Sequence, residues 1–190
     1  GHLEQVYSTF EEYTYKKEKI PDKQKKAIKY MLSLFATEPK LSSSLQYLLN
    51  VIRQYQRALD SSIPQTAYLA MWQVLESSIS LGDKINLNRE IEARVNALVE
   101  LPNLFKDVLH MLTQRRNVLV HSGVFPENAD RIFFILKVLT DAVIIRLFKL
   151  VEQFPETVEL RDYIRFVSLG NNDLYRKKQV IEKIIEVRQK

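Results

Sequence analysis

From Leu41 to Leu59 the apolar residues Leu41, Leu45, Leu48, Ile52, Tyr55 and Leu59 recur in alternating steps of four and three. That period fits one buried face of an α-helix and not a strand, whose side chains alternate every two residues. The same spacing returns in Ala67, Met71, Val74, Ser78 and Leu81, and again in Ile91, Val95 and Leu98. Only four glycines and six prolines punctuate 190 residues, too few for the turns of a many-stranded sandwich or barrel. The expected fold is an all-α helical bundle.

Helix limits follow from the punctuation. Leu3, Val6, Phe10 and Tyr13 suggest a first helix, and Pro21-Asp22 opens a second over 23–36. Ser62 reads as the cap of a helix over 65–81, with Pro64 in its first turn and Gly82 at its stop. Asn88 is the expected cap of the next. Pro102 restarts the chain before Leu104, Phe105, Val108, Leu109 and Leu112, and Gly123 ends that helix. Pro126 opens a helix over 127–153 that is apolar round most of its circumference, as a central helix or one shared with a second subunit would be. Pro155 breaks it, a helix over 157–169 follows, and Asp173 is the expected cap of a last, basic helix ending at Arg188. The sequence reading therefore places a helical core over 61–155, an N-terminal helical extension packed on it over 1–60, and C-terminal helices of the same domain over 156–190. Tyr55, Trp72, Phe105, Phe133, Phe134 and Phe148 lie in apolar stripes and are expected in the core rather than on a base-stacking platform.

Several function classes lose support at once. With no cysteine there is no disulfide, thiolate zinc site or cysteine nucleophile, which fits a reducing, cytoplasmic location. The greasiest stretch, 132–151, is interrupted by Lys137, Asp141, Arg146 and Lys149, so no membrane span is expected. The chain begins Gly1-His2, its first methionine is Met31, and no signal-peptide pattern appears. It is therefore expected to be cut from a longer protein that has other domains. His110 precedes His121 by eleven residues, about 16 Å along a continuous helix, too far to share one metal. No metal or other cofactor is expected, and there is no phosphate-cradling glycine loop or Gly-x-Ser-x-Gly elbow.

The net charge is +5, and seven lysines between Lys16 and Lys29, among them Lys23, Lys25 and Lys26, form a patch that would attract a polyanion such as RNA. The plainer alternative is that they solvate the outer faces of two helices. A sharper signal sits further on. The stripe Phe105, Leu109, Leu112 would continue at position 116 in a purely structural helix, yet Arg116 stands there, and Arg115, set between Leu112 and Leu119, is expected to approach the same core face. A guanidinium on an apolar face needs a carboxylate, a carbonyl or a bound anion. Asn117 and His121 are four apart and share a face, with His121 in the last turn before Gly123.

An arginine, a polar residue after it and a histidine five positions beyond the arginine resemble the ribonuclease signature of HEPN domains, matched here by Arg116, Asn117 and His121. The helix around 67–77, with Leu75-Glu76, looks like the earlier core helix of the Apea-like branch. The resemblance covers roughly 62–154. It implies a HEPN-type helical bundle with additional N- and C-terminal helices. It also implies a metal-independent endoribonuclease that cuts RNA by attack of a ribose 2′-hydroxyl, at a composite site where two motifs face one another across a homodimer. His121 would move protons, Arg116 would hold the phosphate and Asn117 would fix orientation, with Arg115 and the lysine patch binding substrate. Such a domain is typically the effector of a larger defence, toxin or RNA-processing protein. The alternatives are a catalytically silent HEPN-like module for dimerisation or nucleotide or RNA binding, and a plain helical adaptor. In the silent module Arg116 would pair with a carboxylate such as Glu76, although the face of Glu76 shared with Gln73 and Ser80 is expected to meet solvent; the adaptor leaves the arginines in the apolar stripe unexplained.

Overall fold

The computed structural model describes Asp22, Lys25, Lys26 and Lys29, and residues 42–83, 88–99, 103–124 and 129–188. All regular structure among the described residues is helical, as expected: α1 (Ser43–Leu59), α2 (Pro64–Ser80), α3 (Asn88–Val99), α4 (Asn103–Ser122), α5 (Ala129–Leu150), α6 (Thr157–Val167) and α7 (Asn171–Arg188). None of these helices is long and apolar enough to cross a membrane. The chain divides into two units, Gly1–Pro39 and Lys40–Lys190, and α1 to α7 belong to the second. In the first, Asp22, Lys25, Lys26 and Lys29 are helical and exposed; the expected helix from Leu3 to Tyr13 and the rest of that over 23–36 lie outside the described residues.

α2 is the centre of the second unit and packs on α1, α3, α4, α5 and α6. Its apolar content explains why. The expected face Ala67, Met71, Val74, Ser78 and Leu81 is buried, and so are Tyr68, Trp72, Leu75 and Ile79, leaving little of the helix for water. Pro64 at its first position presets the helical φ and has no N–H to leave unpaired. The N-cap is Ile63, not Ser62 as expected, and no side chain caps that end; with Pro64 at N1, a side-chain acceptor has one fewer donor to satisfy. At the other end Leu81 takes a left-handed conformation (φ 45°) and Gly82 continues it (φ 89°). The buried Arg94 of α3 donates to the Ile79 carbonyl (3.0 Å) and pairs with Glu90, so α3 satisfies an acceptor that the end of α2 leaves open.

α1 and α6 are fastened at their starts. Ser42 caps α1 by accepting from the Leu45 N–H, and the Ser44 N–H donates to the Pro155 carbonyl (3.0 Å). The Ser43 hydroxyl donates to Glu156 Oε2 and accepts from the Thr157 N–H, both at 2.9 Å. α5 presses Ile132, Leu136, Leu139, Val143 and Leu147 inward, and packs on α1, α2 and α3. Two expectations change here. Phe134 is 62% exposed rather than core, because it lies with Val138 and Ile145 on the side of α5 that these partners do not cover. Asp173 stands inside the first turn of α7, not at its cap, since that helix begins at Asn171. Trp72 and Phe148 are buried as expected, Tyr55 and Phe133 partly so, and the Phe105 side chain lies outside the described residues.

Leu75, wholly buried on the central helix, and Val187, largely exposed on α7, make a test of this layout. Leu75→Ala should lower stability by roughly 2–5 kcal/mol through lost burial and the cavity left behind, and Val187→Ala should change it by less than about 0.5 kcal/mol. Urea unfolding followed by the fluorescence of Trp72, the single tryptophan, reads both.

Candidate functional site

Tyr68, Trp72 and Glu76 fall four residues apart on α2, so their side chains share one face of it. Each carries a polar tip. Tyr68, wholly buried, donates its hydroxyl to the Leu112 carbonyl in α4 (2.7 Å). Trp72 donates its indole N–H to Glu76 Oε1 (2.7 Å), and the same oxygen lies 3.9 Å from Nη2 of Arg116. Tyr68 thus ties this face of α2 to α4, and further along it Trp72 and Glu76 lead from the interior to the Arg116 guanidinium. The sequence expectation that Glu76 meets solvent is corrected: the indole and Arg116 both engage it, and about two thirds of its side chain is covered. A carboxylate that already accepts one buried hydrogen bond is held in place, so it can orient a long, flexible arginine.

α4 delivers the motif. Leu109 and Leu112 are fully buried, Arg116 interrupts the stripe with 31% of its side chain exposed, and Leu119 returns to the core. Arg116 Nη1 donates to Asn117 Oδ1 (3.3 Å). The structure thus brings Arg116, Asn117 and Glu76 together. His121 is exposed in the last turn, ahead of Gly123, whose positive φ (68°) ends the helix while its N–H bonds back to the Leu119 carbonyl. Helix geometry sets Arg116 and His121 about 140° apart round the axis and ~7.5 Å along it. Arg115 is exposed, a departure from the inward approach the sequence suggested, because only position 116 continues the stripe. Val118, Val120 and Val124 around His121 are also exposed.

The lysine patch is described only in part. Lys25 and Lys26 are exposed, Lys25 pairs with Asp22 (3.1 Å), and Lys23 lies outside the described residues. His110, also exposed, lies 3.2 Å from Glu92. Among the described residues no three histidine, aspartate or glutamate side chains stand together as metal ligands would. Tyr68 and Trp72 were not singled out for the site from sequence; their spacing of four with Glu76, each bearing a polar group in an otherwise apolar helix, was the available signal. Comparison of the chain with family models, curated proteins and solved structures gives no match.

Burial pushes the Tyr68 hydroxyl well above the usual tyrosine range, with Arg115 and Arg116 pulling weakly the other way. An unfolded tyrosine ionises near pH 10, whereas the folded one keeps its proton, so above that pH the unfolded state holds fewer protons. Stability should therefore be full below about pH 10 and fall above it, by up to ~1.4 kcal/mol per pH unit from this group. Burial also raises Tyr47 and Tyr55, which add slope of the same sign. Tyr68→Phe should flatten the alkaline fall without abolishing it, as measured by urea midpoints between pH 8 and 11.

Proposed function

We propose that this domain is a metal-independent endoribonuclease of the HEPN type, acting as a homodimer and forming the effector part of a longer defence, toxin or RNA-processing protein. The observation that carries the reading is Arg116, a guanidinium set into an apolar stripe, held loosely by Glu76, a third exposed, and followed at the helix end by an exposed imidazole. With Glu76 at 3.9 Å and Asn117 accepting one N–H from Nη1, the guanidinium keeps further N–H groups that a phosphate would accept from.

In this mechanism the ribose 2′-oxygen attacks the adjacent phosphorus as its proton leaves, and the bond to the 5′-oxygen breaks as that oxygen gains a proton. His121 carries protons in these steps, because an imidazole ring can accept a proton at one nitrogen and donate one from the other. Arg116 stabilises the added negative charge on the pentacoordinate phosphorus, already oriented by Glu76 before substrate arrives. Asn117 fixes the arginine. Two of these motifs, facing each other, would supply one imidazole to take the proton and another to give it. The wide angle between Arg116 and His121 on a single helix favours that arrangement. So do the exposed Val118, Val120 and Val124 beside His121, and Phe134, Val138 and Ile145 on α5, apolar surface that a second copy would cover. Arg115, Lys23, Lys25 and Lys26 would hold the RNA backbone.

The Glu76 contact also favours a second reading, a silent HEPN-like module in which the carboxylate occupies Arg116 for structural reasons. Substitution separates the two. His121→Ala and Arg116→Ala should each lower RNA cleavage by about 10²-fold or more, with helical circular dichroism and melting little changed. Cleavage by the unmutated chain that both variants retain, or no cleavage at any protein concentration, would favour the silent module.

A further inference from the structure

α7 runs for 18 residues and none of them is buried. A helix of that length draws most of its stability from packing an apolar face, not from propensity. α7 has such a face. Leu174, Val180, Ile181, Ile184, Ile185 and Val187 fall within about 160° of its circumference, and they are 37–74% exposed. Asp173 and Lys177 near the start of the helix and Arg188 at its end share the arc. Lys177 does not obstruct it, because its ammonium lies over the Phe166 ring of α6, 5.1 Å from the centroid.

The charges decide between occupants. Arg176, Lys177, Lys178, Lys183 and Arg188 are interleaved with Asp173, Glu182 and Glu186. A helix that lies on an anionic lipid surface carries mainly Lys and Arg on its polar side, and Trp, Phe or Leu on the other. The α7 charges instead complement one another when the helix is reversed. Let two copies of α7 lie antiparallel about a two-fold axis near Val180. Asp173 then meets the second copy's Arg188, Lys178 meets its Glu182 and Leu174 meets its Ile185, each pair occurring twice, with the two Ile181 residues close to the axis. Within one copy Lys178 and Glu182 are 3.8 Å apart and mostly exposed, so neither is committed. A parallel pair would set Lys177 against Lys177 and Arg188 against Arg188. We infer that α7 is a self-association surface, covered by the antiparallel α7 of a second copy. Each helix is only ~27 Å long, so the contact lies at the small end of protein interfaces and forms at micromolar concentration or above. It uses neither α5 nor the valines beside His121, and it does not depend on the ribonuclease reading.

The chain has no cysteine, so single substitutions on α7 report the pairing, and with no buried residue in that helix they leave the fold intact. The full 190-residue chain is oxidised at high micromolar concentration. Ile181→Cys should give a disulfide-linked dimer. Leu174→Cys and Ile185→Cys should each give little alone, and their mixture about 10-fold more, because a disulfide closes only where the two Cα atoms come within about 7 Å. On the Ile181→Cys background, Lys178→Glu should lower the yield of linked dimer about 10-fold, and adding Glu182→Lys should restore it. Equal yields from all three single-cysteine variants would mean a parallel pair or random collision, and would overturn the inference. So would an Ile181→Cys chain that stays unlinked, or a Lys178→Glu change without effect. Phosphatidylserine vesicles that shield an unlinked Ile181→Cys from a maleimide would give the face to a lipid surface instead.

Discussion

The hydroxyl of Tyr68, wholly buried on the central helix α2, donates to the Leu112 carbonyl, the same oxygen to which the Arg116 N–H is directed within α4. One acceptor thereby joins the register of the two helices to the turn that carries the arginine. A slip of α4 by one residue would break this bond and turn Leu112 away from the core. From that fixed point the next two rungs, Trp72 and Glu76, reach Arg116 at the surface. The position of the guanidinium therefore follows from the packing of α4 on α2.

The remaining helices divide into those that build this platform and those with surface to spare. α1, α3, α5 and α6 all pack on α2, and the serine contacts at the starts of α1 and α6 close that side. α5 is too apolar for one layer to cover: its inward side packs on α2, while Phe134, Val138 and Ile145 remain in water. α7 has no buried residue although Val180, Ile181, Ile184, Ile185 and Val187 lie along it. Surface of this kind is common where chains associate, and the stripe on α5 together with the valines around His121 is the part that the proposed homodimer would cover.

How much was readable beforehand depended on what kind of signal each feature leaves. Helix identity was readable because burial on one side imposes a period of three and four, and the faces Ala67–Leu81 and Ile91–Leu98 lie in the core as their spacing required. The interruption at Arg116 was readable for the same reason. Its partner is named in the sequence only as a candidate carboxylate of the alternative readings, because Glu76 sits forty residues earlier and no local spacing links the two; the packing of α4 on α2 brings them together. Phe134 was misplaced because a helix apolar all round gives no indication of which side its neighbours will take. The cap expected at Ser62 falls one residue on, at Ile63, and Asp173 lies inside the first turn of a helix that already begins at Asn171.

We propose that Arg116 and His121 cut RNA using the substrate's own 2′-hydroxyl. The most direct measurement gives the chain, in EDTA, a DNA strand that contains a single ribonucleotide. The account predicts one cut, on the 3′ side of that ribonucleotide, leaving a 2′,3′-cyclic phosphate. Cuts at deoxynucleotides, a product with no cyclic end, or cleavage that EDTA abolishes would contradict it.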